Sequence, residues 1–485
     1  MKTSPRSLFV ALTVAAFTAA LAHGDTTNTS PSEDATLNPL PMGNAGGGQT
    51  LPELTPKVLP PEEKSPLITS FIPTVHEVRN TTSGLLHPGI FQTKEELDTM
   101  QRHVRHGDQP WASAFAAFSQ LRNCSTDPPI LYAGWTDIPR GGGLGKGGNF
   151  VTFRMAKDAN TAFKQVVMWY ITGDETYRLN ALKIIRDYGA IKTAAPHWDA
   201  QIRWGIASYQ MCCAAEVLRY SDGNSDASRW TDDDTAQFSA LMKTGEMLVA
   251  PPGYWMNQHG FSTMGVMGTA IFLDDKALYE EAVERTTVNS RGQQGGRNGS
   301  IEWQMRLVTD DYLTHEKVTP QVQLVEMMRD QAHAWDDVAA LSTLCQTIYN
   351  QGTKVDPVTG TVSTAANATD VFGFLDNRLL AGVDYITRYT LGAPVTWIPI
   401  DMGDHIKGAP GKGFYVLGIL YNHYKYIEKW STTDPRFHAV AEAYESEIPE
   451  SDAVDVPGAS TLLLTPDNAA ASPNSLEDSV TPRSP

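Results

Sequence analysis

In the stretch YWMNQHGFSTMG, residues 254–265, the amide and imidazole groups of Asn257, Gln258 and His259 follow two aromatic rings, Tyr254 and Trp255. They precede small apolar residues that read as a buried helix. An amide both donates and accepts hydrogen bonds, and an imidazole is the side chain whose proton moves near neutral pH. Three further stretches carry groups of this kind. MRLVTDDYLTHEK supplies Arg306 and Tyr312, and RDQAH supplies Arg329, Gln331 and His333. On a helix Arg329 and His333, four apart, share a face that Gln331 does not. HWDAQIRWG gathers His197, Trp198, Gln201, Arg203 and Trp204, which offers rings for stacking on a sugar and donors for carboxylates. The glycine-rich WTDIPRGGGLGKGGNF lacks the Gly-x4-Gly-Lys-Ser/Thr spacing of a phosphate cradle. It reads instead as a flexible lid that carries Arg140 and Lys146 toward a polyanion.

Helices must position these groups. FQTKEELDTMQRHVRHG opens with Thr93 three residues before Glu96, a capping box. Ala162, Val166, Trp169 and Tyr170 recur at helical spacing, as do Tyr177, Ala181, Ile184 and Ile185 beyond the Gly173-Asp174 turn. The stretches after residue 205 continue the pattern, and alternation of period two is scarce. Repeated helical hairpins with short turns predict an all-α architecture whose loops gather on one face.

The chain has 485 residues, 4 cysteines and a net charge of −17. Such acidity excludes nucleic acid as a partner, since polyphosphate binding needs a basic surface. A polyanionic substrate remains open through a local cluster of basic residues. Cys124, Cys212, Cys213 and Cys345 are too scattered for a disulfide framework, although one or two bridges are compatible with them, and none has zinc-ligand spacing. Lys2 and Arg6 ahead of the apolar run Leu8 to Ala22 predict a signal peptide over 1–22 and a secreted, extracellular protein. No later stretch is apolar enough to span a membrane. The sequons at Asn28, Asn80, Asn123, Asn298 and Asn367 fit surface glycosylation. Residues 23–86, rich in Pro, Ser, Thr and Gly, read as a flexible leader, 87–451 as the folded domain, and 452–485 as a disordered tail.

AFKQVVMWYITGDETY, CAAEVLRYSDG, NQHGFSTMG, EMMRDQAHAW, CQTIYNQG, LDNRLLAGVDYITRYTLG and YNHYKY resemble, in order, the signature blocks of the alginate lyase superfamily of polysaccharide lyases. The resemblance is to the branch with an Arg-Asp-Gln-x-His block, associated with alginate or glucuronan. It implies an incomplete α/α toroid and cleavage of a 1,4-linked uronate polymer by β-elimination, without cofactor or metal. Asn257, His259 and Arg306 would then handle the C6 carboxylate and Tyr312 the proton transfers, with Tyr254 in reserve. Either Asn257 or Gln258 would supply the amide. Gln258, Tyr254, Trp204, Gln201, Arg203, Arg329, Gln331, His333 and Lys146 would bind an anionic polysaccharide.

Two other classes fit the same residues. A glycoside hydrolase on a helical toroid needs two carboxylates flanking the bond, and Asp310, Asp311, Asp330, Asp336 and Asp337 are available. A carbohydrate-binding protein could keep the fold without the chemistry. His423 and Tyr424 of YNHYKY read as core packing, and Trp198, Trp204 and Trp335 serve equally well as filling for the toroid.

Overall fold

The computed structural model describes residues 67–470, apart from 294, 411 and 412. The expected signal peptide and most of the expected leader lie outside the described residues.

Fourteen α-helices occur among the described residues: α1 Lys94–His106, α2 Trp111–Phe118, α3 Gly147–Thr172, α4 Glu175–Tyr188, α5 Ala200–Arg219, α6 Asp232–Val249, α7 Asn257–Phe272, α8 Lys276–Thr287, α9 Ile301–Gln304, α10 Gln331–Asn350, α11 Phe374–Thr390, α12 Leu417–Asn422, α13 His438–Glu447 and α14 Ser460–Leu463. The capping box at Thr93 forms as the sequence predicts, with Glu96 returning a carboxylate to the Thr93 N–H. α3 ends at Gly173, whose φ of 74° is open to glycine at little cost, and Asp174 caps α4.

α3, α5, α7 and α10 are buried nearly all round, which makes them the inner row. α3 packs on α5, α5 on α7 and α7 on α10, while α4, α6 and α8 return along the outside. Each outer helix brings the chain back, so the inner helices run parallel and their N-termini share one end. The result is the all-α, toroid-like arrangement of hairpins that the helical periodicity implies.

Glycine sets how closely the inner row packs. A Cβ on Gly205 of α5 would lie 2.0 Å from the Phe261 carbonyl oxygen of α7, and one on Gly265 would lie 2.8 Å from the Gly205 Cα. Only backbone fits at this crossing.

Strands are few and short. β1 Val78–Arg79 pairs antiparallel with β2 Leu86–His87, and β3 Asp137–Ile138 pairs parallel with β4 Thr193–Ala194. The longer hairpin of β5 Met305–Asp310 and β6 Lys317–Leu324 was not predicted. It packs Val308 with Val325 and Met328 against Met256, directly before α7.

The domain limits need correction at both ends. Residues 69–86 belong to the body: the Thr69 N–H donates to the Thr172 carbonyl, and Val75 and Leu85 are buried. At the other end Ala453, Val456, Leu462, Leu463 and Leu464 are buried in the main core, so 452–470 is folded chain. Pro- and Ser-rich composition concealed a few apolar anchors in each segment. All four cysteines are buried free thiols. The sequon at Asn298 is corrected too: its side chain is 1% exposed, and its amide donates to the Asn289 carbonyl at 3.0 Å.

Candidate functional site

The shared N-terminal end of the inner row brings the polar groups together. Gln201, second residue of α5, donates to the Gln258 carbonyl oxygen, second residue of α7, at 3.0 Å. Asn257, the first residue of α7, donates its amide N–H to Asp336 Oδ2 of α10 at 3.3 Å and its backbone N–H to Glu326 Oε2 at 3.0 Å. Asn257 Oδ1 is buried with no hydrogen-bond partner. Neither α5 nor α7 has a side-chain N-cap. The first N–H of α7 is met instead by the Glu326 carboxylate, and Asp330 caps α10 through the His333 N–H. Before α7, Met256 takes φ 53° and ψ −137°, a conformation almost confined to glycine. Such strain costs on the order of 1–3 kcal/mol and persists only where packing dictates it. Here the burial of Met256 with Val308 and Met328 does so, and fixes the entry to α7.

Acidic groups line the site. Burial, reinforced by the charges of Asp455 and Glu326, pushes Asp336 well above the usual carboxylate range. Burial likewise raises Glu326 and its neighbour Asp337, whose negative charges oppose one another. Asp455 is raised by burial but opposed by the cations Arg203 and Lys157, which favour its ionised form. Tyr415 is raised by burial and by Asp336 and Asp455, and so stays a protonated phenol. Asp336, Asp455, the Tyr415 phenol, the Asn257 amide and the cations Arg203 and Lys157 thus interact in one cluster.

Beside it Arg329 donates to Glu326 Oε1 at 2.8 Å and to His333 Nε2 at 3.0 Å, and His333 Nδ1–H donates to Asp330 Oδ2 at 2.7 Å. This chain fixes the imidazole tautomer. Burial alone would raise Asp330, yet the His333 backbone and ring N–H groups hold it low. Asp199, directly before α5, feels Arg203, His197, Arg329 and His333, which ties the RDQAH and HWDAQIRWG stretches to one neighbourhood. The glycine loop borders it. Asn149 donates to the Trp198 carbonyl, Thr152 shares a hydrogen bond with His197, and Lys146 is exposed at the start of α3.

The structure therefore joins Asn257, Gln258, Gln201, Arg203, Arg329 and His333, with Lys146 at the border. It moves the other candidates elsewhere. His259 is 1% exposed and turned toward α8: its Nε2–H donates to the Arg285 carbonyl at 2.8 Å, and its Nδ1 faces the Asn289 amide at 3.3 Å. Burial lowers its pKa to about 4, against the bond to the Arg285 carbonyl and with the Arg285 charge, so it is a neutral, internally bonded ring. Trp204 is 0% exposed, and a Cβ on Gly245 of α6 would fall 1.9 Å from its ring. It is core, and the exposed ring of the stretch is Trp198, 50% exposed. Tyr254 donates its hydroxyl to the Leu248 carbonyl. Gln331 is buried and donates to the Lys407 carbonyl, which fixes the loop after residue 400. Arg306 lies on β5 in an ion pair with Asp401, and Tyr312 stands 53% exposed beyond the strand. Among the described residues neither bonds to the Asn257 group.

Asp455, Tyr415 and Lys157 escaped the sequence reading. Asp455 sits in a segment with the composition of a tail, Tyr415 follows a glycine-rich loop, and Lys157 is one of several charged residues along α3. None carries a local signal, and tertiary folding alone assembles them.

No family model and no curated protein matches this sequence. Among solved structures the chain is similar to alginate lyase A1-III from Sphingomonas species A1, with a TM-score of 0.44 and 12% identity over 76% of this chain and 93% of that one. Two variants of alginate lyase A1-III complexed with a tetrasaccharide give similar figures. The tyrosine-to-phenylalanine variant has a TM-score of 0.43 and 13% identity, and the histidine-to-alanine variant 0.43 and 15%, each over 76% of this chain and 93% of the other.

Proposed function

We propose that this chain is a secreted polysaccharide lyase that cleaves a 1,4-linked uronate polymer, alginate rich in mannuronate or glucuronan, by β-elimination. One observation carries the reading: the Asn257 amide is bonded to Asp336, a carboxyl that burial pushes well up, at the end where the inner helices α5, α7 and α10 begin. A C5 proton is too weakly acidic to leave beside a full carboxylate anion, so the site must supply donors to the C6 carboxylate as charge builds on it. Asn257 and, in its protonated form, Asp336 are two such donors, and Arg203 and Lys157 add positive potential. Asp455, ionised beside those cations and raised in basicity by burial, takes the C5 proton. Tyr415, kept protonated, gives its proton to the departing O4. Trp198 offers a ring for stacking, and Arg329 and Lys146 meet neighbouring carboxylates along the polymer.

The test is ultraviolet absorbance of the new C4–C5 double bond on polymannuronate, polyguluronate, glucuronan and a neutral glucan. Absorbance should rise on one uronate and not on the glucan. Asn257→Ala should lower kcat by about 100-fold or more, the cost of losing one donor to a developing oxyanion. Tyr415→Phe should lower kcat, whereas Tyr312→Phe should leave it unchanged.

A second reading has an observation of its own. Asp336, raised by burial and by its acidic neighbours, and Asp455, raised by burial but opposed by Arg203 and Lys157, are two carboxyls whose environments differ, as in the acid and base pair a glycoside hydrolase uses. Reducing ends released from a polysaccharide without ultraviolet absorbance would establish that reading and overturn the lyase.

A further inference from the structure

His423, at the C-terminal end of α12, is a polar ring without the partners that burial demands. It is 3% exposed, its Nδ1 has no hydrogen-bond partner, and its Nε2 stands 4.0 Å from Glu428 Oε1, too far for a hydrogen bond. A neutral imidazole buried in this way forfeits at least one strong interaction. The ring is nonetheless rigidly held, stacked on Phe372 at 4.0 Å between centroids and met edge-on by Tyr349 at 5.2 Å.

Two carboxylates converge on it. One ligand atom each from Asp370, His423 and Glu428 lies within 4.8 Å of the others. His423 begins a π-helical turn, residues 423–427, and the Glu428 N–H donates back to the His423 carbonyl, so residues five apart are brought to one side. Single π turns of this kind recur at functional sites. Asp370 is oriented by the Gly373 N–H, which donates to its Oδ1 at 3.0 Å. The charges that reach the neighbouring Tyr349 are all acidic, from Asp370, Glu96, Glu428 and Glu95.

We infer that Asp370, His423 and Glu428 form a binding site for one divalent transition-metal cation of the zinc class. One imidazole and two carboxylates suit zinc, with water completing the shell. Bonds of about 2.0–2.1 Å would draw the three donor atoms to roughly 3.4 Å from one another in a tetrahedron. The half-exposed Glu428 side chain can move to supply that contraction. The cation would clip the segment before α11 to the turn after α12. It takes no part in the proposed elimination, and its presence is independent of that reading.

The full chain, stripped with EDTA and dialysed against ZnCl2, should retain one zinc after gel filtration by elemental mass spectrometry. Its Tm should rise by about 2–4 °C at a saturating zinc concentration, since a ligand that binds only the folded state stabilises it. Glu428→Gln, at an exposed position, should fold with an unchanged circular dichroism spectrum yet lose both the retained zinc and the Tm response. Asp370→Asn should do the same, which keeps the test intact if His423→Gln fails to fold. No retained zinc in the wild type, or retention unaffected by Glu428→Gln and Asp370→Asn, overturns the site.

Discussion

The side chain that looked most catalytic in the sequence, His259, turns its ring away from the Asn257 cluster and neutralises no anion. Both nitrogens are engaged inside the protein, so its role is to lock the first turn of α7 to Arg285 and Asn289 and thereby aim Asn257. That burial has a pH consequence. A histidine whose folded pKa is lowered to about 4 takes up its proton in the unfolded chain first, so folding stability from this group is lost as pH falls from about 6.5 through 4. The full effect is roughly 3 kcal/mol for one ring. Chemical denaturation of wild type and His259→Gln should therefore show a stability difference that favours the wild type most near pH 7.5 and shrinks steadily toward pH 4. A difference independent of pH would mean the ring is accessible to solvent, and would restore it as a candidate for chemistry.

Elements decide how the cluster is assembled, and the crossing of α5 and α7 is the element on which it depends. Gln201 and Gln258 meet only because Gly205 lets the two backbones touch near Phe261. Gly205→Ala would place a methyl group 2.0 Å from a carbonyl oxygen that cannot swing aside. Overpacking against backbone costs about 1–3 kcal/mol or more, and the helices must separate to relieve it. Thermal denaturation should show a marked fall in Tm, with activity falling further than stability because the Asn257 and Gln201 ends move apart. Gly143→Ala, in the lid loop where a Cβ meets nothing within 4 Å, is the matched control and should change the Tm little. The β5–β6 hairpin belongs to the same scale. Its sequence carries Asp310, Asp311 and Thr314 around a turn and only a few buried side chains, so helical periodicity overshadowed it.

For the whole molecule, the segments at the two ends are structural. Residues 453–464 bury five apolar side chains in the main core and bring Asp455 to Arg203 and Lys157. A chain ending at residue 451 should be far less stable than one ending at residue 470, and should show no catalytic rate even where it folds. Chemical denaturation and the ultraviolet assay on the two truncations test this together. Equal stability of the two would show that the C-terminal segment packs without contributing to the fold.

The sequence by itself determined what local physics can encode. Caps at Thr93 and Asp174, the glycine stop at Gly173 and the 3.6-residue periodicity specify helical hairpins, and parallel stacking then places the starts of α5, α7 and α10 at one end. Asn257, Gln201, Arg203 and His333 were legible because they sit at those helix starts, where polar groups interrupt apolar runs. The tertiary structure alone decided which side of each helix faces the cluster, since a helix buried all round carries no stripe to show its direction. That decision turned His259 and Trp204 inward. It also assembled Asp336, Tyr415 and Asp455 from distant segments, and it set the ionisation of each by burial and by neighbours that no spacing along the chain reveals.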